Sequence, residues 1–137
     1  MAGVVAVRLS VAEATMTVPA SLPSGLTVRR YAPAPAAVVV ELTGTVDIRT
    51  EAAMRAALVL PDSGVRLLVC DLTPLSFMGA CGLQVLLQTR DALIDQGAGL
   101  RVVVTRPVIV RMMAVTGLTE VLGVRATVAE ALGEGRA

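Results

Sequence analysis

The sequence of 137 residues predicts an α/β fold, a single mainly parallel mixed β-sheet of four to five strands packed against about four α-helices. From residue 26 onward, segments rich in β-branched residues alternate with segments of helical apolar spacing, which is typical of parallel strands joined by helices. Arg66 to Leu72 and Leu100 to Thr105 are nearly continuous apolar runs, the pattern of strands covered on both faces. The stretch 26–133 is long enough for an independent domain.

The first half of this stretch contains three strand candidates and one helix candidate. Leu26 to Tyr31 and Val38 to Thr43 are rich in β-branched residues, and a turn at Pro33 to Pro35 separates them. Thr50 to Leu60 places its apolar residues on one helical face. Arg66 to Leu72 follows as the third strand.

The second half continues the alternation. Gly82 to Gln96 is the clearest helix, with leucines on one face and glutamine and aspartate on the other. After the strand at Leu100 to Thr105, Pro107 to Gly117 has the proline start and glycine end of a helix. A weaker strand candidate precedes the last short helix. This helix begins with the capping-box pair Thr127 and Glu130 and stops at Gly133.

The first 25 residues differ in composition from the rest of the chain. Thr15 to Gly25 contains two prolines, two serines and a glycine without clear periodicity, and Val4 to Leu9 is a short strand candidate. We therefore expect a flexible N-terminal extension over residues 1–25, one domain over residues 26–133 and a C-terminal tail over residues 134–137.

The composition excludes several functions. The chain has no histidine, no tryptophan and a net charge of +1; its twelve basic residues are all arginine. Histidine-based nucleophilic catalysis is therefore impossible, and a zinc site lacks its usual ligands. One Tyr and one Phe cannot build a base-stacking platform, and a near-neutral chain lacks a DNA-binding footprint. We expect a protein that is not an enzyme, that needs no cofactor or metal, and that binds no nucleic acid.

The apolar segments are too short for a membrane span, which needs about 20 mostly apolar residues. The mildly apolar N-terminus has no basic region before it, so it does not resemble a signal peptide. We therefore expect a cytoplasmic protein without membrane insertion, whose two cysteines stay reduced.

Asp71 to Leu87 is the most informative segment, and it has the form of a strand end, a tight loop and a helix start. A helix N-terminus exposes unpaired amides and about half a positive charge, which favours an anion near Gly79 to Gly82. An ordinary connection between a strand and a helix has the same spacing. Spacing alone therefore leaves both interpretations open.

The same segment resembles the signature of the STAS domain, a family found in bacterial anti-sigma-factor antagonists and in sulfate-transporter tails. Two further stretches, Leu42 to Asp47 and Met112 to Leu122, resemble family segments in the right order. The likeness covers roughly residues 26–133 and implies the STAS fold. Within the signature, the matching residues are Asp71, Leu72, Leu75, Ser76, Phe77, Met78, Gly82 and Leu83, with Thr73 in place of a serine.

In that family, the antagonist binds an anti-sigma factor that is also a Ser/Thr kinase, which frees the sigma factor. The kinase phosphorylates the first serine of Asp-Ser-Ser-Gly, and the added charge breaks the complex. By position, Gly79 replaces the aspartate, Ala80 the phosphoacceptor serine and Cys81 the second serine or threonine. The resemblance implies an antagonist-like binding domain that Ala80 makes unable to accept phosphate. The alternative is a STAS accessory subunit of a transporter or of a larger signalling complex.

The implied partner surface comprises the loop Thr73 to Cys81, the start of the next helix and the turn Val46 to Glu51. The expected partner is an anti-sigma factor with a Ser/Thr kinase-like fold, and the chain itself is expected to be a monomer or a weak dimer. The candidate partner-binding residues are Asp47, Thr73, Ser76, Met78, Gly79, Ala80, Cys81, Leu83 and Gln84.

Several side chains near this surface have two interpretations. Cys81 is either a reactive thiol at a helix start or a small apolar residue in a crowded turn, whereas Cys70 is expected to be inert in the core. Asp47 either caps the first helix or meets the partner. Asp71 either caps its loop or pairs with an arginine. Ser76 is expected to bond loop backbone.

Overall fold

The computed structural model describes residues 16–17, 25–59 and 64–134, and within them one sheet carries helices on both faces. Its strands are Met16–Thr17 (β1), Leu26–Ala34 (β2), Ala37–Val46 (β3), Leu67–Asp71 (β4), Leu75–Met78 (β5), Gly99–Val103 (β6) and Val124–Arg125 (β7). Its helices are Glu51–Ala57 (α1), Ala80–Asp95 (α2), Pro107–Val115 (α3) and Val128–Glu134 (α4). The strand candidate at 4–9 lies outside the described residues.

The strand order in the sheet is β1-β2-β3-β4-β6-β7. The pairs β1–β2 and β2–β3 are antiparallel, and the other pairs are parallel. β5 also pairs with β3 but lies beyond the end of β4, since Glu41 of β3 is opposite Asp71 and Gly44 is opposite Leu75. The predicted mainly parallel mixed α/β fold is thereby confirmed. The described strands outnumber the predicted ones because β1 and β5, which were not predicted, have only two and four residues, too few to show a period. The weaker strand candidate before the last helix is present as β7.

The two faces of the sheet carry separate apolar clusters. The larger cluster joins the sheet to α1, α2 and α3, through residues such as Met54, Leu86 and Ile109. The smaller cluster joins the opposite face to α4, where Val69 packs with Ala131. Since successive residues of a strand face opposite sides, the continuous apolar runs of β4 and β6 supply both clusters. The prediction that these strands are covered on both faces is confirmed.

The helices differ from their predicted bounds mainly at their ends. α1 stops at Ala57 rather than at residue 60, and α2 begins at Ala80, two residues before the predicted Gly82. The predicted glycine end of α3 is confirmed, since Gly117 follows it with a φ of +76°. The capping pair of α4 is also present: the Glu130 amide donates to Thr127 Oγ1 at 3.0 Å. In the described residues, no helix has the length and apolarity that crossing a bilayer requires.

A buried arginine binds the carboxyl end of α1. Arg30 lies in β2 and is only 7% exposed. Its guanidinium donates to the carbonyls of Ala57, at 3.1 Å, and Val59, at 2.6 Å. Both carbonyls lie at the carboxyl end of α1, where no amide of the helix is available to them, so the guanidinium satisfies acceptors that the helix leaves unpaired. Burial lowers the pKa of Arg30, and the two carbonyls together with the negative end of the helix stabilise its charge.

Replacing Arg30 by alanine tests this role. Arg30→Ala removes two charge-assisted hydrogen bonds, and we expect the free energy of unfolding to fall by about 2 to 4 kcal/mol. Urea denaturation followed by circular dichroism measures it. The matched control is Arg66→Ala, because Arg66 is exposed and donates to the Gly97 carbonyl at 3.3 Å; its loss should cost less than about 0.5 kcal/mol. Equal effects of the two variants would contradict the assignment.

Candidate functional site

The carboxyl ends of β3 and β5 meet the start of α2 at one end of the sheet. Val46 of β3 is opposite Met78 of β5, and the Gly79 amide donates to the Val46 carbonyl at 2.9 Å. Gly79 is the N-cap residue of α2 and has an extended backbone conformation, with φ −82° and ψ 177°. The turn after β3 and the first turn of α2 are therefore neighbours. In open α/β sheets this carboxyl end is where binding sites usually form.

The turn between β3 and α1 is held by reciprocal hydrogen bonds. Asp47 Oδ1 accepts from the amides of Arg49, at 2.8 Å, and Thr50, at 3.3 Å. Thr50 Oγ1 accepts from the Asp47 amide at 2.9 Å and donates to the Thr45 carbonyl at 3.0 Å. The Arg49 amide is the main cause that lowers the pKa of Asp47. Asp47 thus caps the backbone of the turn that leads into α1, while Thr50 is the residue at the helix start.

The loop after β4 is organised by Asp71. Its Oδ1 accepts from the Thr73 amide at 3.0 Å and from Thr73 Oγ1 at 2.8 Å, so of its two predicted roles the structure shows the loop cap. Farther along, the carbonyl of Leu75 accepts from Arg106 Nε at 2.8 Å, which ties the loop to the residue before α3. The Thr73 hydroxyl is therefore engaged inside the loop.

The predicted tight loop before α2 contains the strand β5, which is a correction to the sequence-based interpretation. Leu75 and Met78 are buried, whereas Ser76 and Phe77 are exposed, so the four residues do not alternate as a strand pattern requires. Ser76 Oγ donates to the Gly44 carbonyl at 2.9 Å. Ser76 does bond backbone, but that of β3 rather than that of its own loop.

Gly82 allows α2 to approach the two strands closely. A Cβ atom at this position would lie 2.7 Å from Met78 Sδ and 3.2 Å from Val46 Cγ1. Both distances are shorter than ordinary van der Waals contact. A larger residue at 82 would therefore push the start of α2 away from β3 and β5.

The predicted partner-binding residues divide by their exposure. Ala80 and Gln84 are exposed, and Asp47, Gly79 and Cys81 are half-buried. In contrast, Met78 and Leu83 are buried in the main core, beneath the surface rather than on it. No acidic residue lies in the first turn of α2, and no side chain caps it.

The two cysteines lie in different surroundings, and both are free. Cys70 is completely buried in β4; this burial, followed by the nearby charge of Asp71, raises the pKa of its thiol. Cys81 is half-buried and packs against the main core, as a small apolar residue does. The core assignment of Cys70 is confirmed, and the reactivity of Cys81 stays a prediction. Among the described residues, no group of three or more acidic or cysteine side chains is arranged to hold a metal ion.

Sequence reasoning did not single out two prominent side chains of this end. Ile48 is 83% exposed and Phe77 is 51% exposed. Both lie within the predicted surface segments, but neither was selected because each looks like an ordinary apolar residue. The sequence Asp47-Ile48-Arg49-Thr50 contained a usable signal for Ile48. An aspartate favours a turn at this point, and a side chain within a turn is seldom buried.

Comparisons with known proteins agree with this geometry. The family model described as STAS domain matches residues 30–131. A protein of Mycobacterium tuberculosis named "Putative anti-anti-sigma factor Rv2638" is 33% identical over 105 residues, which are 74% of this chain and 71% of that protein. The crystal structure of an anti-sigma factor antagonist from Mycobacterium paratuberculosis is similar with a TM-score of 0.75 at 30% identity, over 84% of this chain and 97% of that one.

A more distant structure shares the fold. The anti-sigma factor antagonist SpoIIAA in its unphosphorylated form is similar with a TM-score of 0.62 at 23% identity. The match covers 80% of this chain and 96% of that one. The end of the sheet described above therefore belongs to a fold that antagonists of anti-sigma factors have.

Substitution of Gly82 tests the close approach of α2. In Gly82→Ala the added methyl group overpacks the contact with Met78 and Val46, and we expect a loss of about 1 to 3 kcal/mol in the free energy of unfolding. The control is Gly133→Ala in α4, where an added Cβ meets nothing within 4 Å; helix propensity alone should stabilise it by up to about 1 kcal/mol. Urea denaturation measures the free energy of unfolding of both variants and of the parent. A Gly82→Ala protein as stable as the parent would refute the packing argument.

Thiol titration tests the two cysteine environments. In native protein we expect Ellman's reagent to modify no more than the Cys81 thiol, because burial keeps the Cys70 thiol protonated and out of reach. Denaturant should release the second thiol. Cys70→Ser should leave the native reading unchanged, and two reactive thiols in folded protein would be inconsistent with this structure.

Proposed function

This chain belongs to the STAS domain family, and from that premise we propose that it is an anti-sigma-factor antagonist whose phosphoryl switch is absent. It binds an anti-sigma factor with a Ser/Thr kinase-like fold in the cytoplasm and so releases a sigma factor. The binding function resides in residues 26–133, acts without enzymatic turnover, and needs no cofactor. The observation that carries the proposal is the exposed methyl group of Ala80 at the first position of α2.

The lost switch follows from the chemistry of this position. A phosphoserine here would add a charge of about −2 to an exposed surface that a kinase can reach. Ala80 has no hydroxyl, and the hydroxyls nearby are engaged, since Ser76 donates to Gly44 and Thr73 donates to Asp71. Partner binding is therefore constitutive in this proposal.

The surroundings of Ala80 support a protein-binding role. The half-buried Gly79 and Cys81 and the exposed Gln84 continue the same surface along the first turn of α2. The Asp47 turn lies beside it, because the Gly79 amide is bonded to the Val46 carbonyl. Met78 and Leu83 support this surface from the core. Together these residues form a surface that the core supports, which suits contact with another folded protein.

Two substitutions at one position test the proposal. We expect Ala80→Asp to weaken binding to the anti-sigma factor at least tenfold, because the carboxylate brings an unpaired charge into a contact that excludes water. Ala80→Ser should bind as the parent does until ATP and the kinase are added, and should then be phosphorylated and released. Titration calorimetry against each purified anti-sigma factor encoded in the same genome measures binding, and intact mass spectrometry measures phosphorylation.

The matched control for charge is Ala92→Asp. Ala92 is exposed on the same helix, about 18 Å farther along its axis, and its substitution should leave binding unchanged. Undiminished binding by Ala80→Asp would move the contact surface elsewhere. Phosphorylation of the parent chain at Thr73 or Ser76 by the kinase, with release of the partner, would contradict the loss of the switch. Binding to none of the anti-sigma factors would favour an accessory-subunit role.

A further inference from the structure

Two large apolar side chains project from the end of the sheet beside Ala80. Ile48 is 83% exposed, and Phe77 is 51% exposed. They come from different segments that adjoin where Val46 pairs with Met78: Ile48 is two residues after Val46, and Phe77 is one residue before Met78. Single exposed apolar residues are common on proteins, but a group at one site marks an interaction surface.

The backbone around Ile48 is held by hydrogen bonds, although the Ile48 side chain touches little. It occupies the tip of the turn in which Asp47 accepts from two amides and Thr50 Oγ1 accepts from the Asp47 amide. Thr50 also donates to the Thr45 carbonyl, which anchors the turn to β3. A turn fixed in this way loses little backbone freedom when its tip enters a pocket.

Phe77 is held by the strand that carries it. It lies opposite Thr45 in the β3–β5 pair, and its neighbour Ser76 bonds the Gly44 carbonyl. Its ring lies over Gly79, because a Cβ atom on that glycine would be 3.7 Å from Phe77 Cε2. An acidic side chain at 79 would therefore lie against the ring, whereas glycine leaves the ring beside an uncharged surface.

The charges around this pair indicate what covers it. Arg49 Nη2 lies 3.5 Å from Asp47 Oδ2, so the charges of these two side chains offset each other. The first turn of α2 has no acidic residue to balance the positive end of the helix. The complementary surface is an apolar pocket with a neutral or acidic rim. Because the backbone that carries each side chain is already ordered, a folded protein fits better than a flexible peptide that must be ordered on binding.

We propose that Ile48 and Phe77 are the anchor residues through which this chain recognises its anti-sigma factor, each entering an apolar pocket on that protein. The inference rests on the function proposed above and deepens it. Recognition then depends on apolar contact around Ala80, where the family pattern has an acid and a phosphoacceptor. Anchor residues of this kind carry most of the binding energy of an interface.

The test replaces each anchor by serine. We expect Ile48→Ser and Phe77→Ser each to raise the Kd for the purified anti-sigma factor at least thirtyfold, about 2 kcal/mol, measured by titration calorimetry. The matched control is Ile94→Ser, because Ile94 is 50% exposed at the far end of α2, about 21 Å from Ala80. The control should change the Kd by less than about twofold. The urea midpoints of all three variants should match, since none of these side chains fills the core.

The outcomes separate this inference from the function beneath it. If the parent binds an anti-sigma factor and both anchor variants bind equally well, the inference fails and the proposed function stands. If no anti-sigma factor encoded in the genome binds the parent, both fail. A lowered urea midpoint for Phe77→Ser or Ile48→Ser alone would assign that residue to the fold instead. Self-association of the parent, abolished by Phe77→Ser in sedimentation, would assign the pair to a second copy of this chain and overturn the inference.

Discussion

The close packing of α2 against the β3–β5 pair is the constraint on which the candidate site depends. Gly82 leaves room for Met78 and Val46, and the Gly79 amide bonds the Val46 carbonyl at 2.9 Å, so the helix start and the strand ends form one unit. The position of Ala80 and the orientation of Phe77 both follow from this contact. A binding surface on such a unit keeps its shape without help from the partner, which favours specific recognition.

Much of the fold could be predicted because long apolar patterns report burial directly. β4 and β6 were found from their continuous apolar runs, and α2 from the spacing of its leucines. β5 was missed because four residues with two exposed neighbours carry no strand period. The contact between Arg30 and the end of α1 was missed for another reason: Arg30 lies 27 residues earlier in the chain and reaches the Ala57 carbonyl only in the folded protein.

The location of the candidate site was predicted more accurately than the residues that form its surface. The family pattern located the start of α2, and the structure puts Ala80 there in an exposed position. A pattern of matching residues does not distinguish side chains that support a surface from those that form it. Met78 and Leu83 belong to the first kind, whereas Ile48 is exposed at the turn and has no counterpart in the signature. The choice between two roles for Asp71 also needed distances, since both roles suit an acid at a strand end.

The methyl group of Ala80 has a consequence for how a cell could govern such a protein. A hydroxyl at this position lets one molecule be turned off and on many times, so the signal lies in a covalent mark. With a methyl group, every folded molecule is competent, and the output depends on how many copies exist relative to the target. When the protein has fewer copies than its target, free target remains. When it has more copies, almost all of the target is bound, so the output changes sharply at equal numbers of the two. In the proposed role, control therefore passes from modification to synthesis and degradation.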